Sequence, residues 1–165
     1  MGTGIIIAGF ATVGKTYLVK KYNNIIDLES GSFKYYYTGY KKIDYEKLKG
    51  TKDRKINNNW PANYYEAIQK AKNEYDIVFV QLHPIHIEYF DKNNFEYYIA
   101  YPDLDDWGFV ENRARERGNN LNFIKRLKEV FNKYYEISKN SKAIEILIVD
   151  KNKSLEDILI ERKLI

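Results

Sequence analysis

The chain has 165 residues, 44% hydrophobic and 30% charged, with a formal net charge of +4. This suits one domain with a real core and gives no strong nucleic-acid signal. The lack of cysteine excludes disulfides, thiolate zinc sites and thiol nucleophiles. No run approaches the ~18 apolar residues of a membrane span, and the first apolar segment reads as a strand of a cytoplasmic protein, not a leader.

The first predicted element is the strand Ile5–Gly9. It runs into Gly9-Phe10-Ala11-Thr12-Val13-Gly14-Lys15-Thr16, which matches the Walker A pattern G-x-x-x-x-G-K-[ST] at every fixed position. A helix is expected from Thr16 to Tyr22. In that setting Gly9 and Gly14 allow a tight turn whose N–H groups, with those of Ala11, Thr12 and Val13, face phosphate oxygens. Lys15 would reach the β- and γ-phosphates, and the Thr16 hydroxyl would ligate Mg²⁺. The expected ligand is therefore ATP with Mg²⁺.

A second strand is expected at Ile25–Leu28, followed by Glu29, Ser30 and Ser32. Ligands in open α/β sheets bind beyond the carboxyl ends of strands, so Asp27 and Ser30 should face the Lys15 site. Asp27 would hold Mg²⁺ or accept a proton; a turn closing the strand is the alternative reading. Ser30–Asn59 is the least regular region and reads as an insertion over the sheet edge, with a short helix near Asp44–Lys49. Arg54 is the only arginine between the second and third strands, and an acceptor phosphate would need such a cation. A solvated loop is the other reading.

Trp60-Pro61 opens a predicted helix at Ala62–Asn73. Trp60, Asn63 and Tyr64 are candidates for a base pocket, against core packing and helix entry. The third strand, Ile77–Leu82, lacks the acid that normally ends a Walker B strand. Asp76 lies at its wrong end, which shifts weight for Mg²⁺ onto Asp27. Gln81 or His83 would instead bond water, phosphate or base. His83, His86 and Glu88 make a poor zinc set, with Pro84 intervening and no third ligand evident.

Strand four is expected at Tyr97–Tyr101. Arg113, Arg115 and Arg117 then precede Gly118. On a helix Arg113 and Arg117 share a face and Arg115 points elsewhere. Arginine neutralises charge on a transferring phosphoryl group, and a charged face paired with Glu111 and Glu116 is the alternative. The Asn122–Ser138 helix places Phe123, Leu127, Val130, Phe131 and Tyr134 on one side, with Arg126 also able to reach in. Strand five is expected at Ile144–Val149, and Ser154 caps a last helix with an acid at N3. The alternation of strands and helices implies an α/β fold.

With these motifs in order, the chain resembles the P-loop nucleoside monophosphate kinase-like proteins, and looks closest to small nucleotide kinases of bacteriophages and prophages. The residues carrying the resemblance are Gly9–Thr16, Asp27-Leu28-Glu29-Ser30, Asn59–Tyr64, Tyr75–Val80, Tyr98–Pro102 and Arg117-Gly118-Asn119. It implies a P-loop NTPase fold, a five-stranded parallel sheet of order 2-3-1-4-5, over a single domain spanning residues 1–165. The insertion at about 30–60 would bind the acceptor, and a lid at about 106–120 would close over the donor. The implied reaction is phosphoryl transfer from ATP to a small-molecule nucleotide acceptor. Lys15, Asp27, Arg113 and Arg117 would be catalytic, and Asp27, Ser30, Arg54, Trp60, Asn63, Tyr64 and His83 would line the acceptor site. A homodimer is compatible with the resemblance. Kinases of another small acceptor and a non-catalytic nucleotide-binding module remain open alternatives.

Overall fold

The computed structural model describes residues 3–165. Five strands form one parallel sheet: β1 (Ile5–Gly9), β2 (Ile25–Leu28), β5 (Ile77–Gln81), β6 (Tyr97–Pro102) and β7 (Ile146–Val149), in the order β2-β5-β1-β6-β7. Counting these five alone, the order is 2-3-1-4-5, as expected. Ile6, Ile7 and Ala8 of β1 are fully buried, as are Ile77, Val78, Phe79 and Val80 of β5. That is why these strands read as continuous apolar runs, with no alternation: helices cover them. The register places Gly9 beside Gln81 on one side and Ala100 on the other. The loop after Gly9 therefore leaves the sheet at its middle, where β5 ends beside it and β6 runs on to Pro102.

The helices are α1 (Lys15–Lys21), the single turn α2 (Gly31–Lys34), α3 (Ala62–Glu74), α4 (Pro84–Lys92), α5 (Trp107–Glu116), α6 (Leu121–Lys139) and α7 (Leu155–Glu161). Helix α6 buries Ile124, Phe131 and Ser138 at seven-residue spacing. Its Asn120 cap accepts from the Phe123 N–H at 2.9 Å. Ser154 and Asp157 form the full capping box of α7. No described helix is long and apolar enough to cross a membrane.

Four elements depart from expectation. Helix α4 was not anticipated, because Pro84 reads as an interruption. It occupies the first helical turn, where a missing N–H costs nothing. The region read as irregular contains an antiparallel hairpin of β3 (Tyr35–Tyr37) and β4 (Arg54–Ile56). The helix expected at Asp44–Lys49 is instead a 3₁₀ turn, Lys42–Asp44, followed by further turns; so short a segment gains too few backbone bonds to repay helix nucleation. Strand β7 begins at Ile146, not Ile144.

Candidate functional site

The Gly9–Thr16 loop turns on two residues in the left-handed region, Thr12 at φ 73° and Gly14 at φ 103°. Gly14 is free to adopt it. Thr12, β-branched, is not, so its conformation must be held from outside. Gly9 is needed for a different reason. A Cβ there would lie 2.9 Å from Lys15 Cδ, because the Lys15 stem folds back across the first residue of the loop.

That fold-back brings the Lys15 ammonium to the end of β2. Lys15 Nζ lies 3.7 Å from Asp27 Oδ2, and both side chains are mostly buried. Burial pushes the Asp27 carboxyl above its ordinary value. Lys15 pulls it back, Glu29 adds to the rise, and Arg117 lowers it from across the site. Asp27 Oδ1 is buried with no hydrogen-bond partner among the described residues. A carboxylate with one oxygen on a lysine and one left free is suited to accept a proton or meet a cation.

The neighbouring strand end is tied together by side chains. Ser30 Oγ bonds Gln81 Oε1, joining the ends of β2 and β5. Tyr64 is fully buried. Its hydroxyl donates to the Leu28 carbonyl at 2.8 Å and accepts from the Gln81 N–H at 3.1 Å. Tyr64 thus sits behind the site as a clamp between two strands, not in a base pocket. Asn63 likewise donates to the Phe33 carbonyl at 2.9 Å and so anchors α2. His83 caps α4 by accepting from the Ile85 N–H, and burial lowers its pKa.

Trp60 is half-buried and stacks on Tyr64 with 5.5 Å between centroids. Around it lies a cationic cluster. Arg54 sits over the Tyr35 ring at 4.2 Å, and Lys34 approaches both Tyr35, at 5.3 Å, and Trp60, at 5.8 Å. Neither cation has an ion-pair partner among the described residues. Lys34 escaped sequence reading because lysine is common in this chain. Its adjacency to Tyr35 was the available signal.

The three clustered arginines separate. Arg115 pairs with Glu111 at 3.6 Å on an exposed face. Arg117 follows α5 as its cap residue, is exposed, and acts electrostatically on Asp27. Arg113 is half-buried, and its Nη1 donates to the Thr12 carbonyl at 2.9 Å. It is therefore engaged with the loop backbone, where the sequence suggested a side chain free to close on a ligand.

Among the described residues, no group of three or more His, Asp or Glu could cage a metal. Mg²⁺ in nucleotide sites needs only one or two protein oxygens and takes the rest from phosphates and water. The exposed Thr16 hydroxyl and the free Asp27 oxygen fit that need.

No family model matches this chain, and no curated protein does. Among solved structures, the Deinococcus radiodurans tunicamycin resistance protein is similar to it. The TM-score is 0.56 and the identity 15%, over 98% of this chain and 93% of that one. At that identity the likeness is one of fold: an α/β protein with a helix-flanked five-stranded parallel sheet, in an order that fits a P-loop-like layout.

Proposed function

We propose that the chain is an ATP-dependent phosphotransferase acting on a nucleoside or deoxynucleoside monophosphate. The observation that carries this reading is the Gly9–Thr16 loop meeting Asp27 at the carboxyl end of the sheet, with Lys15 between them. The loop N–H groups and Lys15 hold the donor phosphates. Thr16 and Asp27 would hold Mg²⁺, which would supply charge neutralisation to the donor phosphates. Arg117 compensates charge that builds on the transferring group. Arg54 over Tyr35 and Lys34 near Trp60, with no ion-pair partner among the described residues, offer the acceptor its phosphate site and an aromatic surface. Little covalent chemistry falls to the protein, so positioning and charge carry the rate.

A second reading has its own support. The raised Asp27 carboxyl and its free oxygen suit a general base. A hydroxyl acceptor, on a nucleoside or another metabolite, needs such a base, whereas a monophosphate does not.

One experiment separates the readings. The protein is incubated with ATP, Mg²⁺ and a panel of nucleosides and monophosphates, with Lys15→Ala as control, and ADP formation is followed. Monophosphate-dependent ADP formation that Lys15→Ala abolishes supports the first reading. Phosphorylation of nucleosides alone selects the second. Absence of ADP formation with every monophosphate overturns the first reading, and absence with every nucleoside removes the nucleoside form of the second.

A further inference from the structure

Thr12 is the strained residue of the loop. A β-branched side chain at φ 73° is strained and persists only where its surroundings hold it. The side chain does not hold itself: Thr12 is buried at 3% exposure, and its Oγ1 has no hydrogen-bond partner among the described residues. Among the described residues, the one polar contact on Thr12 from outside the loop is Arg113 Nη1, at 2.9 Å from its carbonyl.

Arg113 is well placed to hold. Its guanidinium lies over the Phe109 ring at 4.9 Å. Helix α5 is capped by Asp106, which accepts from the Phe109 N–H at 3.1 Å, and its Val110 and Ala114 are fully buried. Arg113 thus projects from a rigid element onto a strained one. In a trans peptide the N–H points opposite to the carbonyl of the same unit. Fixing the Thr12 carbonyl therefore fixes the direction of the Val13 N–H, a phosphate donor of the loop.

We propose that Arg113 is a positioning residue that latches the Thr12–Val13 peptide in its nucleotide-binding orientation, acting through the loop and not by touching the transferring phosphoryl group. The proposal rests on the nucleotide-binding reading above. It parts Arg113 from Arg117, although both belong to the same predicted lid. Because α5 carries the latch, a shift of this helix changes donor affinity, which couples the lid segment to the loop without a lid residue on the phosphates.

The test is calorimetric titration of Mg²⁺ with a non-hydrolysable ATP analogue, and separately of inorganic triphosphate. The proteins are the parent, Arg113→Ala, Arg113→Lys and Arg117→Ala, with turnover measured at saturating ATP. Arg113→Ala should raise both Kd values about tenfold or more, as expected for one charge-assisted hydrogen bond. Its kcat at saturating ATP should stay within about threefold of the parent. Arg113→Lys should recover most of the affinity, since an ammonium also donates to a carbonyl, and should keep the parent's fold if Arg113→Ala does not. Arg117→Ala should bind as the parent does. An unchanged Kd in Arg113→Ala overturns the latch, as does a collapse of kcat at saturating ATP that Arg113→Lys fails to restore. A parent that binds no nucleotide removes the functional reading and the latch with it, whereas a parent that binds normally isolates the latch.

Discussion

His86 should make the fold sensitive to mild acid as pH falls from 6.5 toward about 4. The ring is fully buried. Its Nδ1 lies 3.0 Å from the Tyr65 hydroxyl, while Nε2 has no partner among the described residues. Tyr64 and Trp60 pack against it, and His83 and Lys34 add positive charge nearby. Desolvation, reinforced by His83 and Lys34, pushes its pKa from 6.5 down to about 4. The folded state thus prefers neutral imidazole. The stability this provides is fully present above 6.5 and is lost as pH falls toward 4. A shift of that size corresponds to about 3 kcal/mol in full, of which about 2 should be gone by about pH 5. Urea unfolding of the parent and His86→Gln, at about pH 7.5 and about pH 5, measures it. The variant starts less stable, because it loses contacts with three rings, but its pH dependence should be flatter by about 2 kcal/mol. His83 is lowered in the same direction but is present in both proteins. Parallel pH profiles would refute the reasoning.

Asp27→Asn should lower turnover by roughly a hundredfold or more, the usual worth of a positioned base or metal-holding carboxylate; Mg²⁺ titrations and rates that superimpose on the parent would make Asp27 a strand-end residue only. Because burial raises the parent carboxyl, the acid limb of its kcat/KM profile should lie above the ordinary aspartate value and disappear in the Asn variant. Arg117→Ala should cost about 10³ in rate, by analogy with arginine fingers. Arg115→Ala should stay near the parent, since an exposed pair such as Arg115–Glu111 contributes under about 1 kcal/mol; the reverse order in a kcat comparison would sink the assignment of Arg117. Arg54→Ala should raise the acceptor KM about tenfold while the ATP Kd stays put, and equal effects on both ligands would place Arg54 elsewhere than the acceptor side.

What could be read from the chain alone was local. Ile5–Gly9 and Ile77–Val80 announce buried strands because a parallel sheet covered on both faces demands unbroken apolar runs. Gly9-x-x-x-x-Gly14-Lys15-Thr16 announces a tight loop because backbone conformation is set by the residues that must adopt it. Ser154 and Asp157 cap α7 through a contact spanning three residues. Tertiary structure decided whatever depends on partners distant in sequence. Tyr64 looked like a pocket residue until the fold placed its hydroxyl between Leu28 and Gln81. Lys34 adjoins Tyr35 in the chain, but Arg54 lies 20 residues from Lys34, and the β3–β4 hairpin brings it to the same ring. Arg113 and Arg117 share a helical face on paper, yet one bonds a carbonyl 101 positions away while the other stays exposed. Periodicity states which side chains point together. What they meet there is set by the strand order 2-3-1-4-5, which stacks the ends of β1, β2 and β5 beside one another and leaves Asp27 facing Lys15.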